Sequence, residues 1–591
     1  MSTKINFSMG FIQEGKINQN QHESLNLFLS LQDKIMAENF EFDAIVIGSG
    51  ISGGWAAKEL CEKGLKTVIL ERGSMVEHVK DYTTANLNPW ELEHRNRLTE
   101  EEKKIYHIQS RHYSIGEDNK HYYVRDIDHP YKENQRYDWV RADVFGGRSL
   151  LWGRISVRWG DLDFSANAKD GHGVDWPIRY KDIAPWYDYV EKFIGVSGSR
   201  EGLEVLPDGI FQPSFGLNCG EQLVKEKLES KYPHVKLIPT RSANITQPLD
   251  GRSSCQARNL CHRGCPFGAY FSTQSSTLPA AAKTGNLTIR TGAVVNRIIY
   301  DEKTQKASGV EVIDRDTLKT YVYKAKLVFL NASTIGTAHI LLSSTSSRFQ
   351  NGIGNDYDMV GRHLMDHHKG ISVSGEIEGL DDKYYYGKRP TGIYIPRFKN
   401  IHDQDPNFIR GYYFQGSASR ERGIKSDEIG AALKENSTEA GKWKISVGYY
   451  GETLPYAENR VTLNHDIKDI FGRPGLTIDC SFKDNEKAIN KDAGETMLEM
   501  FSNIGLKNVK QTGSISAPGN ANHEMGTARM GHDEKTSVLN KWNQVHAVKN
   551  LYITDGSCMA SSNCINPSLT YMALTARAVD HALSELKKMN L

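Results

Sequence analysis

Apolar positions along this chain fall into two regimes. Near both ends, short unbroken apolar runs stop at glycine-rich turns; in the middle, apolar and polar residues alternate. Residues 43–73 read DAIVIGSGISGGWAAKELCEKGLKTVILERG. Ala44–Ile47 is a short run of the kind buried on both faces of a sheet. Ala56, Ala57, Leu60 and Cys61 share one side of a helix, Lys63-Gly64 stops it, and Thr67–Leu70 is a second strand. Residues 326–346 predict a strand, a small-residue turn and a helix. Residues 551–578 predict the same order, with Leu551–Thr554 as strand and Leu569–Ala578 as helix. Residues 287–300 and 309–314 read as strands of a hairpin-like meander. Between 370 and 515, ISVSGEIEG, TGIYIPRF, IRGYYFQG, KWKISVGYYGE and NRVTLN alternate with period two and are rich in aromatics, which predicts an antiparallel sheet. Residues 484–503 predict a helix. A further helix is expected over 22–38, and another starting near Pro185. Residues 74–140 show no clean period and read as a lid-like excursion or a long surface connection.

The first turn carries specific chemistry. Gly48-x-Gly50-x-x-Gly53 sits between strand and helix. Gly48 suits the tight turn, Gly50 lets backbone approach a pyrophosphate, and Gly53 lets helix and strand pack closely. The helix N-terminus offers partial positive charge to phosphates. Glu71, twenty-three residues after Gly48, ends the second strand where an acid accepts hydrogen bonds from a ribose. The motif predicts a dinucleotide without choosing between FAD and NAD. In RADVFGGRSLLWGRISVRWG (141–160), Gly146 and Gly147 precede Ser149 and Trp152. A backbone so free of side chains can lie against a flat ring system, or simply turn between strands. Val294 or Val295 is placed to flank an adenine, or else is plain core.

Composition narrows the class. The 591 residues carry 73 Lys+Arg against 72 Asp+Glu, a net charge of +1, which gives no argument for nucleic acid or an anionic membrane. No apolar run reaches the ~18 residues of a membrane span. The first residues lack a hydrophobic signal core and a twin-arginine pair, so the expected compartment is the cytoplasm, or the periplasm if a partner subunit carries the export signal. Eight cysteines are too few for a disulfide framework. Cys255-x5-Cys261-x3-Cys265-Pro266 resembles loops that hold iron–sulfur clusters. Three thiolates suit a three-iron cluster, or a four-iron cluster with a distant ligand such as Cys219. Reduced structural cysteines, one local disulfide, or zinc fit the same spacing.

Near the C-terminus, HEMGTARMG (523–531) and LYITDGSCMASSNCINPSLTYMALTARA (551–578) place His523 and Asn566 at two turns, forty-three positions apart. Here the chain resembles the glucose–methanol–choline flavin oxidoreductases over roughly residues 43–585. The matching parts are Gly48-x-Gly50-x-x-Gly53 with Glu71, GGRSLLWG at 146–153, LMDH at 364–367, HEMGT at 523–527, Asp555-Gly556-Ser557, Asn566-Pro567 and the final helix. The resemblance implies bound FAD and an α/β fold: a Rossmann-like FAD-binding domain with an interleaved substrate domain on an antiparallel β-sheet. The implied division is an extension at 1–42, FAD-binding structure mainly at 43–369, substrate-binding structure mainly at 370–515, and a return to the FAD-binding domain at 516–591. Asp555, Gly556 and Pro567 then join the cofactor contacts.

DWPIRYKDIAPWY, the cysteine loop and the His/Asn pair are most similar to the family's sugar-oxidising branch. The implied reaction is oxidation of a secondary hydroxyl of a sugar or glycoside, the 3-hydroxyl of a glucoside among the candidates. His523 would take the hydroxyl proton, and Asn566 would hold its oxygen. Gln415 and residues 448–460 are candidates for holding sugar hydroxyls. Covalent relatives carry a histidine where this chain has Leu151, so FAD is expected to be noncovalent. A cluster, if held, implies a small subunit and a cytochrome acceptor. An oxygen-using oxidase and a flavin-binding scaffold without turnover are the competing readings.

Overall fold

The strand–helix–strand unit forms as Phe40–Ile47, helix Ile51–Glu62 and Thr67–Leu70, the strands parallel with Ala44 opposite Thr67. The computed structural model describes residues 40–384, 390–422 and 428–591; the helix expected at 22–38 lies outside them. Residues 42–591 form one unit by their contacts.

Two sheets organise that unit. The first runs in the order Gln544–Val545, Val548–Ile553, Thr320–Leu330, Phe40–Ile47, Thr67–Leu70, Leu287–Arg290. Its inner strands are continuous apolar runs because both faces are covered. Ala44, Val46, Ile69 and Phe329 pack with Ala56, Ala57 and Leu60 of one helix and Ala578, Val579 and Ala582 of the last, Ser568–Lys587. Leu287–Arg290 corrects the sequence reading: it pairs in parallel with Thr67–Leu70. The meander comprises Ala293–Asp301, Lys306–Asp314 and Thr320–Leu330.

The second sheet is antiparallel throughout: Lys507–Thr512, Ser372–Ile377, Ala440–Gly451, Tyr412–Arg422, Ile393–Ile395, Ile238–Pro239. Alternation sorts its faces. Tyr412, Phe414, Trp443, Ile445, Val447 and Tyr449 turn to a core shared with Ile489, Met497 and Phe501 of helix Asp484–Asn503. Tyr413, Gln415 and Tyr450 belong to the opposite face, where Tyr413 and Tyr450 stand directly opposite and stack at 5.3 Å.

Other differences have local causes. NRVTLN belongs to a separate three-stranded sheet, Arg460–Lys468 with Pro474–Asp479 and Tyr131–Glu133, because Val461, Leu476 and Ile478 pack with Tyr137, Ile335 and Leu364. The helix read as starting at Pro185 starts at Tyr180, where Asp182 accepts the Arg179 N–H at 2.8 Å; Pro185 lies inside Tyr180–Ile194. Residues 74–140 are no loose surface connection. Tyr82 and Tyr122 pack with Val144 and Leu150, while His112, Tyr113 and Ser114 reach an internal cavity. No described helix is long and apolar enough to cross a membrane.

Candidate active site

The floor of this cavity is made of backbone. Gly48 has φ +90°, and a Cβ there would sit 2.4 Å from the Asn331 carbonyl oxygen; one on Gly53 would sit 1.9 Å from the Gly48 oxygen. Both glycines are required by packing. Gly50 differs: a Cβ there meets nothing within 4 Å, because Gly50 borders the cavity. Glu71 Oε2 accepts from Ser49 N at 2.9 Å and Ser49 Oγ at 2.6 Å, and Ser49 Oγ accepts from Gly146 N at 2.7 Å. Glu71 thus ties the two glycine turns together. Gly146 has φ +89°, and a Cβ on Gly147 would lie 3.6 Å from Gly50 Cα. Ser149 Oγ donates to Gly146 O at 2.6 Å, and Trp152 Nε1 donates to Phe271 O at 2.9 Å; both side chains line the cavity.

Helices Ile51–Glu62, Thr334–Ser343 and Ser568–Lys587 all begin on this cavity. Asp555 and Gly556 line it too, and Asp555 accepts from Ser557 N at 3.0 Å and Thr337 Oγ1 at 2.6 Å. Pro567 precedes the last helix at the wall. Val295 is not brought here: it is buried in its strand, and its carbonyl accepts from Arg473 Nη1 at 3.2 Å. A dinucleotide fits this floor. Helix N-termini suit a diphosphate, Gly50 leaves room for it, and Asn331 Nδ2, buried without a partner, faces the same space.

The two predicted catalytic residues meet above the floor, in a cavity of about 240 Å³. Asn566 Nδ2 lies 3.4 Å from His523 Nε2, and Asn566 Oδ1 accepts from Tyr413 OH at 2.8 Å. His523 Nδ1 lies 2.9 Å from His367 Nδ1, and His367 Nε2 lies 3.2 Å from Ser562 O. This chain of contacts fixes the tautomers. A carbonyl only accepts, so His367 Nε2 carries the proton. His367 is neutral, because burial lowers its pKa to about 4. Its Nδ1 is therefore an acceptor and takes the N–H of His523 Nδ1. His523 Nε2 is left as an acceptor in the cavity, its lone pair met by a long 3.4 Å contact from Asn566 Nδ2. Enclosure, with His367, Lys369 and Arg148 nearby, holds the His523 pKa well below the ordinary histidine value. The imidazole is a neutral, correctly protonated base.

Side chains that sequence reading gave no role hold this arrangement. Asp366 accepts from His523 N at 2.9 Å and Ala521 N at 3.1 Å, fixing the loop. Glu524 pairs with Arg148 through both carboxylate oxygens, at 2.6 and 3.1 Å. Lys369 Nζ lies 5.4 Å from the Tyr113 ring and 5.7 Å from Tyr450. The LMDH motif marked His367 and Asp366, but their partners are more than 150 positions away. Gln415 does line the cavity, as does Tyr450 within the 448–460 stretch.

Cys255, Cys261 and Cys265 line a second, larger cavity of about 590 Å³. All eight cysteines are free thiols, so no local disulfide forms. Among the described residues no three His, Cys, Asp or Glu side chains gather as a metal ion requires, and the three thiols share the cavity wall without forming such a set. Cys219 begins the helix Cys219–Lys231 and packs against the core of the antiparallel sheet.

A mainly parallel sheet presenting three helix N-termini to one cavity, with a neutral base held on a loop facing a second sheet, is the build of a dinucleotide-dependent oxidoreductase. The chain belongs to the GMC oxidoreductase family, whose N-terminal model matches residues 42–369 and C-terminal model residues 455–575. It is 28% identical to 2-methyl-1,2-propanediol dehydrogenase of Mycolicibacterium austroafricanum, over 91% of this chain and 94% of that protein. It is 26% identical to the fructose dehydrogenase large subunit of Gluconobacter japonicus (93% and 99%), and 25% identical to paromamine 6'-oxidase of Streptomyces fradiae (92% and 92%). Formate oxidase of Aspergillus oryzae RIB40 shares the fold, with TM-score 0.58 and 15% identity over 93% of this chain and all of that one. GMC oxidoreductases bind FAD and act on CH–OH groups of alcohols and sugars, and this chain is an enzyme of that kind.

Proposed function

We propose that this enzyme oxidises a secondary hydroxyl of a sugar or glycoside to a ketone, the 3-hydroxyl of a glucoside being the leading case, and passes the electrons to an acceptor other than NAD. The observation that carries the reading is the unprotonated Nε2 of His523 beside the Asn566 amide. An alcohol entering the cavity gives its proton to Nε2, while Asn566 Nδ2 donates to the oxygen and holds the developing charge. FAD, when bound, supplies the hydride acceptor. The new imidazolium keeps its Nδ1–H on His367, but Lys369 and Arg148 disfavour its charge, so the proton is passed on readily. Tyr450 offers an aromatic face, and Gln415 an amide, to a polyhydroxylated ring.

FAD is held without a covalent link in this reading, since Leu151 at the cavity wall offers no nucleophile. A small subunit and a cytochrome acceptor are proposed partners, supported by the relative named as a large subunit. An exported partner would place the complex in the periplasm. An iron–sulfur cluster at Cys255, Cys261 and Cys265 is supported by their spacing and shared wall; iron analysis of anaerobically purified protein tests it.

Relatives named as oxidases keep a second reading open, electron transfer to oxygen. One experiment addresses both. Glucosides are added anaerobically to the holoenzyme and flavin absorbance is followed; air is then admitted and peroxide measured. Bleaching by a glucoside without peroxide supports the dehydrogenase, and rapid peroxide release supports the oxidase. Flavin that no sugar bleaches overturns the proposed substrate class.

A further inference from the structure

Apart from the cysteines in its wall, the larger cavity has no role in the reaction above. The cysteine loop walls one side, and Gln415–Ser419 of strand Tyr412–Arg422 the other. It meets the catalytic cavity at a neck, where Tyr113, Gly153, Arg154, Ile155, His262 and Gln415 line both spaces.

Arg154 stands in that neck under unusual conditions. It is 7% exposed. Its backbone has φ +65°, a left-handed conformation that a side chain this large adopts at a cost. Nη1 donates to Trp152 O at 2.5 Å, and the guanidinium lies 5.3 Å from the Tyr270 ring. Nε is buried without a hydrogen-bond partner. Among the described residues Arg154 has no ion-pair partner, whereas its neighbours Arg148 and Arg158 both have one. Arg258, in the wall of the larger cavity, donates to Ala85 O, lies 5.6 Å from the Phe267 ring and also lacks an ion-pair partner among the described residues. Glu221, a carboxylate in the same wall, is already engaged by the backbone N–H groups of Asn218 and Ala418 at 3.0 and 3.1 Å. Away from the cysteine loop the chamber is therefore positively biased, and a buried guanidinium is costly unless an anion meets it.

We propose that the chamber receives the part of the substrate beyond the ring being oxidised, and that this part carries an oxyanion, a carboxylate or a sulfate ester, bound by Arg154 at the neck. Arg258 draws the same group inward. The inference rests on the sugar-oxidising reading and deepens it: the preferred substrate is an extended, anionic glycoside.

The test uses holoenzyme and a matched pair, cellobiose and its aldonate cellobionate, with a 6-sulfated cellobiose as a third arm. Anaerobic flavin reduction gives kcat/KM for each. The wild type should favour an anionic member by about tenfold or more, the size of one charge-assisted contact. Arg154→Gln should bring that ratio close to one, and Arg154→Lys should restore part of it. A ratio within one variant cancels losses that both substrates share. The sulfated arm tells which oxyanion the neck prefers. Should Arg154→Gln fail to fold, Arg258→Gln should still lower the ratio. A wild-type ratio near one, or a ratio unchanged by both substitutions, overturns the proposal. So does bleaching by a simple glucoside with none by either disaccharide, which leaves the sugar reading intact. Flavin bleached by no sugar at all overturns both readings together.

Discussion

Floor and roof of the active site are built on different principles. The floor is backbone: three glycine positions, two linked turns and three helix N-termini, all addressed to a cofactor. The roof is side chain: Tyr413, Gln415 and Tyr450 on one face of an antiparallel sheet, with Tyr413 bracing Asn566 and His367 setting the protonation of His523. A floor of this kind fails by shape and is indifferent to the substrate. A roof of this kind fails by chemistry and can change while the fold stands.

The largest effect should come from the roof. His523→Ala removes the base, and kcat for the best sugar should fall about 10²–10⁴-fold with FAD still bound. Retained FAD absorbance with little lost turnover would mean that another group takes the proton.

The floor's own contrast comes next. Gly53→Ala forces a methyl to 1.9 Å from the Gly48 carbonyl, and should destabilise by about 1–3 kcal/mol or more in thermal unfolding. The Cβ of Gly50→Val meets no protein atom within 4 Å, so stability should hold while the side chain occupies cofactor space. The purified variant should carry little FAD. Equal unfolding midpoints for the two, or full FAD in Gly50→Val, would break the comparison.

His367→Leu sharpens the roof. It removes the acceptor that fixes the His523 tautomer, and kcat should fall about tenfold or more. Because the neutral His367 Nδ1 also accepts the Nδ1–H of the protonated His523, its loss disfavours the imidazolium, and the acidic limb of the pH profile should move to lower pH. A role in packing alone would leave that limb in place. Tyr413→Phe leaves Asn566 Oδ1 without its donor and should cost about three- to tenfold, the range of one neutral hydrogen bond.

Stability should respond to acid through the same histidines. Burial lowers the pKa of His363 and His367 to about 4, and of His112 and His368 to about 3. Unfolding exposes them to titrate near their ordinary value of about 6.5, so the unfolded chain binds more protons below that pH. The stability they allow is complete above about pH 6.5 and is lost as pH falls toward the folded values. Unfolding midpoints should drop steadily from about pH 7 to 5.

How much of this could be read from the sequence follows the same division. Glycine spacing is local, so the floor was legible at Gly48, Gly50, Gly53, Gly146 and Gly147, and Asp555 and Gly556 followed from the family motif. The contact that engages the Val295 carbonyl comes from Arg473, 178 positions away, where no local pattern connects the two. Pro185 misled because Asp182, rather than the proline, sets the helix start. The roof strands were legible by their period of two, but period does not assign a strand to a sheet. Arg460–Lys468 went elsewhere, and Ile238–Pro239 joined from far upstream. His523 and Asn566 were visible as a motif pair. The His367 contact, which turns the pair into a base, joins positions 156 apart that no local pattern connects.

His523 works as a neutral base whose unprotonated Nε2 faces the cavity. The rate of anaerobic flavin reduction by the best glucoside, followed from about pH 8 down to 5, tests it most directly. A rate nearly flat to about pH 6 and falling below it, abolished by His523→Ala, is the expected result. A limb centred above about pH 7, or a limb that survives the substitution, would show that His523 is not the group that takes the proton.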